Sequence, residues 1–290
     1  MKQTFFTRTF FEISLIIAGI MLVSAAIPLF QLNDISLLNY GKTVWGIAKE
    51  LATPHDLIYI NPLSGEERNL FPIIFEAYFN SMKIFFLALI ISLFISVFLL
   101  VLYFSVSERI KKSIEGIGYV ISSLPDIFII GIFQIFIVWF FKRTGILILD
   151  VAATMGNPIV LLPAITLSVL PTFFFFILMV TILKEEEEMS YVELAKSKGL
   201  RKYRILFMHM MRNVLISLTN HGKHIMWLML SNLLMLEYLY NVFGVTPFLF
   251  SYGEPSIFAV TSIFIFLPFF MLLKILEFTF ERRIGSDMNL

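Results

Sequence analysis

Residues 82–104 read MKIFFLALIISLFISVFLLVLYF, with Lys83 as their single charge. The hydrocarbon core of a bilayer is about 30 Å thick and takes about 20 mostly apolar residues to cross as a helix, so this run is long enough to span it. Backbone N–H and C=O groups in lipid find no water, which makes the run a helix, and it lacks the short alternating strands of a membrane barrel. Working outward, residues 10–30, 118–141, 158–183, 215–239 and 257–276 have the same character. The expected fold is therefore all-α, an integral membrane protein with six transmembrane helices.

Composition agrees. Of 290 residues, 58% are hydrophobic and 15% charged, Phe alone contributes 33, and the mean hydropathy is +0.87. A net charge of +1 leaves no basic surface to neutralise phosphates, which argues against nucleic acid as a partner. The absence of cysteine excludes disulfides, thiolate metal sites and a cysteine nucleophile. No catalytic or metal-binding constellation emerges, so the chain is not expected to be an enzyme.

The first run follows Lys2 and Arg8 and ends in VSAA, the outline of a signal peptide, but it is read here as a retained span. Six spans place both termini on one side. Lys2, Arg8, Arg109, Lys111, Lys112, Arg282, Arg283 and the seven basic residues from Lys184 to Arg212 lie there, against Lys42, Lys49, Arg68, Lys142 and Arg143 opposite. The positive-inside bias puts both termini in the cytoplasm. The chain then divides into residues 1–30, an N-terminal segment with the first span; 31–71, a short extracytoplasmic loop or cap; and 72–290, a core with spans two to six and a cytoplasmic loop at 184–214. Gly41-Lys42-Thr43 has the ending of a phosphate-binding loop, but Ser36 stands where its first glycine is required, and the nucleotide reading is rejected.

The cytoplasmic loop contains YVELAKSKGLRKYRILFMHMMRN, residues 191–213. Ser190 and Glu193 have the spacing of a capping box, predicting a helix start, and Gly199 predicts its stop about eight residues on. Tyr191, Leu194, Ala195 and Lys198 share one face of this short helix. Leu200, Tyr203, Phe207, Met210, Met211 and Val214 recur at helical spacing, so a second helix follows and leads into the fifth span. A basic strip on the membrane surface accounts for the charge, yet such a strip gains from continuity, whereas this one is broken at Gly199.

Glu193-Leu194-Ala195, three residues, then Gly199 resembles the EAA loop of ABC importer permeases. YVELAKSKGL resembles the Y-V-x-x-A-x-A-K-G-L of the oligopeptide, dipeptide and nickel branch, and HMMRNVL at 209–215 its H-x-x-R-N-x-L. EYLYNVFGV, from Glu237, is similar to the branch's E-x-x-F-x-x-P-G-x-G, Gly253-Glu254-Pro255 falls at its acidic-x-Pro element, and SLPDIF at 123–128 resembles its proline in the third span. Leu194, Phe243 and Thr246 depart from the pattern, as does the acidic run Glu185 to Glu188, which is read as a solvated helix end.

The resemblance implies a binding-protein-dependent type I permease in the bacterial cell membrane, forming the pathway for peptides. Nickel or a nickel chelate is the alternative cargo. A second homologous permease, two cytoplasmic ATPases and an extracytoplasmic solute-binding protein, a lipoprotein if the cell has a single membrane, are the implied partners, with ATP and Mg held by the ATPases and no cofactor in this chain. Ser190, Tyr191, Glu193, Leu194, Ala195, Lys198, Gly199 and Leu200 would then form the ATPase-coupling element. His221, Lys223 and His224 lie within the fifth run, where they either line the pathway or, for Lys223, snorkel to the surface or pair with the companion permease. Asp126 either lines the cavity or caps the helix beside Pro125. Glu237 is expected at an outer gate or subunit contact. A secondary carrier would show related halves, and none are seen. A sensing or assembly subunit without transport is the remaining class.

Overall fold

The computed structural model describes residues 2–32, 37–61, 65–153, 159–211, 213, 214, 216, 218, 222–252 and 254–287. In chain order these form α1 (Lys2–Ala25), α2 (Ile27–Leu32), α3 (Leu37–Ala52), strands β1 (Ile58–Ile60) and β2 (Glu67–Asn69), α4 (Ile73–Ser105), α5 (Glu108–Ser122), α6 (Asp126–Thr144), α7 (Leu161–Glu187), α8 (Ser190–Ser197), α9 (Lys202–Ile205), α10 (Lys223–Leu239), α11 (Thr246–Phe250) and α12 (Pro255–Asp287).

Among the described residues, five helices are long and apolar enough to cross a membrane: Thr7–Leu29, Ile73–Ser105, Asp126–Thr144, Leu161–Glu187 and Pro255–Ile275. They fall on five of the six expected runs. Of the run at 215–239, the described helix is α10, 17 residues long.

Two boundaries differ from the sequence expectation. The third span begins at Asp126 rather than Gly118, because Pro125 has no N–H, disfavours helical backbone at Leu124, and stands in extended conformation just before α6. Residues 108–122 form instead the separate amphipathic helix α5. The second span begins at Ile73 rather than Met82, since its first turns carry Ile74, Ala77 and Ser81 into a buried core.

The chain divides into two compact units. One comprises residues 1–82 and 243–275. In it the expected cap packs α3 on α1 through Val44 and Ile47, with the Tyr40 hydroxyl donating to the Leu22 carbonyl at 2.9 Å. Within this mostly helical chain a short antiparallel hairpin pairs Ile58 with Asn69 and Ile60 with Glu67. The alternation Ile58-Tyr59-Ile60 suits a strand with one buried face, and Tyr59 points inward, its ring centroid 4.9 Å from Tyr252 and 5.7 Å from Phe248. Residues 31–71 are too few for a core of their own, and they share one with Ile74, Phe248, Ile257 and Val260. Gly41-Lys42-Thr43 lies inside α3, where its backbone serves the helix and leaves no phosphate cradle.

The other unit comprises residues 83–242 and 276–290. Its central element is α7, flanked by α5, α6 and α10. Phe176, Met179 and Leu183 of α7 join Leu100 and Phe104 of α4 in a core that also takes in Val192 and Ala195 of α8.

Candidate functional site

The chain leaves α7 at Glu187 and starts α8 three residues later. The capping box expected of Ser190 and Glu193 does not form: Met189 is the N-cap, no side chain caps the helix, and Ser190 is already its first helical residue. With the serine one position too far into the helix, the Glu193 N–H that a capping box would use is already donated to the Met189 carbonyl at 3.3 Å. The other end matches the expectation. Gly199 has φ +72°, its N–H donates to the Lys196 carbonyl at 2.9 Å, and the Leu200 N–H reaches the Ala195 carbonyl at 3.2 Å. This paired pattern is a Schellman stop, which satisfies carbonyls that a helix end would otherwise leave open.

The two faces of α8 are unlike. Val192 and Ala195 turn into the unit's own core, Ala195 being only 5% exposed. Glu193, Leu194, Ser197 and Lys198 face outward, with Leu194 57% exposed, while Tyr191 and Leu200 are half-buried. The shared face expected of Tyr191, Leu194, Ala195 and Lys198 is therefore split, because the helix rotates its small alanine toward α7 and leaves leucine to the surroundings.

Glu186, in the acidic run read as solvated, has a specific role in the packing. Its carboxylate accepts from the Tyr191 hydroxyl and, at 3.0 Å, from the Asn213 amide, which also lies 3.3 Å from the Tyr191 oxygen. Burial and the neighbouring Glu186 push the Tyr191 phenol up to about 12. Nothing in the run of four glutamates distinguishes Glu186. Its contact depends on the return of the chain at Asn213, 27 residues later. Between α9 and the fifth run, residues 206–210 make one turn of π-helix.

A second junction lies on α5. Glu115 accepts from the Tyr103 hydroxyl of α4 at 2.5 Å and from the Lys184 ammonium of α7 at 2.9 Å. Burial raises this carboxyl, but the bonds from Lys184 and Tyr103 outweigh it and hold it below the usual carboxylate range.

Of the proposed pathway residues, His221 lies outside the described residues, Lys223 opens α10 half-buried, and His224 is exposed. Asp126 shares a small cleft between α6, α7 and α10 with Thr166 and Asn232. Glu237 is 1% exposed. Its carbonyl accepts from the Val242 N–H at 2.9 Å, while Asn241 takes φ +52° and its N–H reaches Tyr238, a second Schellman stop with asparagine in the left-handed position. The Tyr240 and Thr166 hydroxyls meet at 2.8 Å, and the Gln134 amide donates to the Leu239 carbonyl at 3.2 Å, so this helix end is held by α6 and α7.

No curated protein matches the chain. Residues 100–286, which include the last six residues of α4, the 184–214 segment and the spanning helices Asp126–Thr144, Leu161–Glu187 and Pro255–Ile275, match the family of binding-protein-dependent transport system inner membrane components. With several helices long enough to cross a bilayer and well over half its length matched, the chain belongs to that family: it is a multi-pass, non-catalytic permease component of an ABC importer, a class that works with ATPase and binding-protein partners.

Proposed function

We propose that this chain is one of two permeases lining a pathway for peptides, delivered by an extracytoplasmic binding protein and driven by two cytoplasmic ATPases that dock on residues 190–199. The observation that carries this reading is the two-faced helix α8. Val192 and Ala195 root it in the permease, Gly199 ends it sharply, and Glu193, Leu194 and Lys198 remain available to a partner. A short helix embedded on one side transmits a push to its own core, where a loose loop would dissipate it. Both termini lie in the cytoplasm in this reading, and ATP with its Mg belongs to the partner subunits. Peptide as cargo follows from the likeness of residues 191–200, 209–215 and 237–245 to the oligopeptide and dipeptide branch.

Expression of the chain with its partners tests the reading. ATPase subunits copurify and ATP drives accumulation of labelled short peptides in proteoliposomes if it holds. Uptake by the chain alone on an ion gradient makes it a carrier, and a complex with no uptake makes it a sensing or assembly subunit.

A further inference from the structure

Just past α8, two side chains reach back 98 residues to the end of the second span. The Lys202 ammonium donates to the Phe104 carbonyl at 2.9 Å and lies 4.4 Å from the centre of the Phe104 ring. The Tyr203 hydroxyl donates to Ser105 Oγ at 2.7 Å, and its ring meets that of Phe104 edge-on at 6.2 Å. Phe104 and Ser105 close α4, so the carbonyl that Lys202 takes is one that the helix cannot satisfy itself, at the negative end of its dipole.

We propose that Lys202 and Tyr203 form a latch that carries displacement of the docking helix α8 to the second span, making them positioning residues for transport. The inference rests on the coupling role of α8 proposed above. Between the Schellman stop and the latch stand only Leu200 and Arg201. Leu200 is bonded to Ala195, and Arg201 is the extended N-cap of α9. Backbone conformation along this connection is fixed, so a shift of α8 reaches Lys202 with little slack. The apolar packing between α4 and the segment transmits compression but is non-directional, whereas bonds to a helix-end carbonyl and hydroxyl have a preferred geometry and also resist sliding along the contact. The latch thus recruits α4, which is not a chain neighbour of α8, alongside α7, which is.

The test uses the full transporter in proteoliposomes and needs no knowledge of cargo. The chain has no cysteine, so Ser107→Cys, at an exposed position two residues beyond the end of α4 and outside the span, supplies a unique thiol in this subunit for a water-soluble maleimide. With the latch intact, its labelling rate changes about five-fold or more between the nucleotide-free and vanadate-trapped states, the lower end of ordinary coupling. In Lys202→Met/Tyr203→Phe the change falls below about two-fold while ATPase capture and hydrolysis persist, and Lys202→Arg, which still donates to the carbonyl, restores it. An undiminished change in the double variant overturns the latch, as does no change with the latch intact. A loss of the double variant from the membrane reduces the pair to a structural contact and also overturns it. Failure of the unsubstituted chain to capture ATPases is a different result, since it removes the coupling role of α8 and the latch with it.

Discussion

The side-chain amide of Asn213 lies 3.0 Å from the carboxylate of Glu186, closing the 184–214 loop on itself so that the end of α7 and the start of the fifth run share one acceptor. Tyr191 of α8 uses the same oxygen. Removing that acceptor by Glu186→Ala leaves two half-buried donors without it, at a cost of about 1 kcal/mol each. The expected outcome is a lower thermal midpoint in detergent for Glu186→Ala, with Glu186→Gln close to the unsubstituted protein because its amide oxygen still accepts.

The same contact carries a pH signature. The Tyr191 phenol is pushed up to about 12 in the folded chain, from an ordinary value near 10. A raised value means that the folded state keeps its proton while the unfolded state loses it, so stability is complete below about pH 10 and declines as pH rises toward 12. Thermal midpoints measured across pH 9–12 should fall more steeply for the unsubstituted chain than for Tyr191→Phe. Parallel curves would show that the phenol does not titrate in this way.

Gly199 separates backbone strain from packing. A Cβ added there meets nothing within 4 Å, yet φ is +72°. Gly199→Asn should therefore be tolerated, while Gly199→Val should strain the Schellman stop by about 1–2 kcal/mol and alter the exit angle of the chain. Uptake per ATP hydrolysed should drop for valine with ATPase capture retained. Equal behaviour of the two variants would detach the turn from coupling.

Ala195 and Leu194, expected on one shared face, are turned opposite ways. Ala195 packs inside its own subunit, so Ala195→Trp should overpack that core, costing about 1–3 kcal/mol and lowering abundance. Leu194 is exposed, so Leu194→Asp should leave abundance unchanged and weaken ATPase pull-down. Normal pull-down by Leu194→Asp would place the docking surface elsewhere.

Gly222 is tight where Gly199 is open. A methyl there would come within 2.6 Å of the Leu218 carbonyl oxygen and 3.3 Å of the Phe175 ring. Gly222→Ala should reduce thermal stability by forcing α10 away from α7, whereas Gly131→Ala, in open space on α6, should not.

The spanning helices were legible in the linear sequence because their cause is local: an apolar run in lipid has only one way to satisfy its backbone. The Gly199 stop was legible for a similar reason, since a left-handed residue imposes its conformation on its immediate neighbours. Their limits were less so. Pro125 is itself a local signal, but hydropathy carried the third run across it, and Glu76, Asn80 and Ser81 ended the second run early although Ile74 and Ala77 beside them pack with Phe248 and Val260.

Tertiary structure alone decided which way α8 faces, which of four adjacent glutamates is held, and that Lys202 and Tyr203 reach Phe104 and Ser105. Each depends on segments brought together from 27 or 98 residues apart. Short-range periodicity records that a residue is apolar or charged. It carries no record of what the returning chain places opposite, and on an eight-residue helix a rotation of one position exchanges the face given to the core with the face given to a partner.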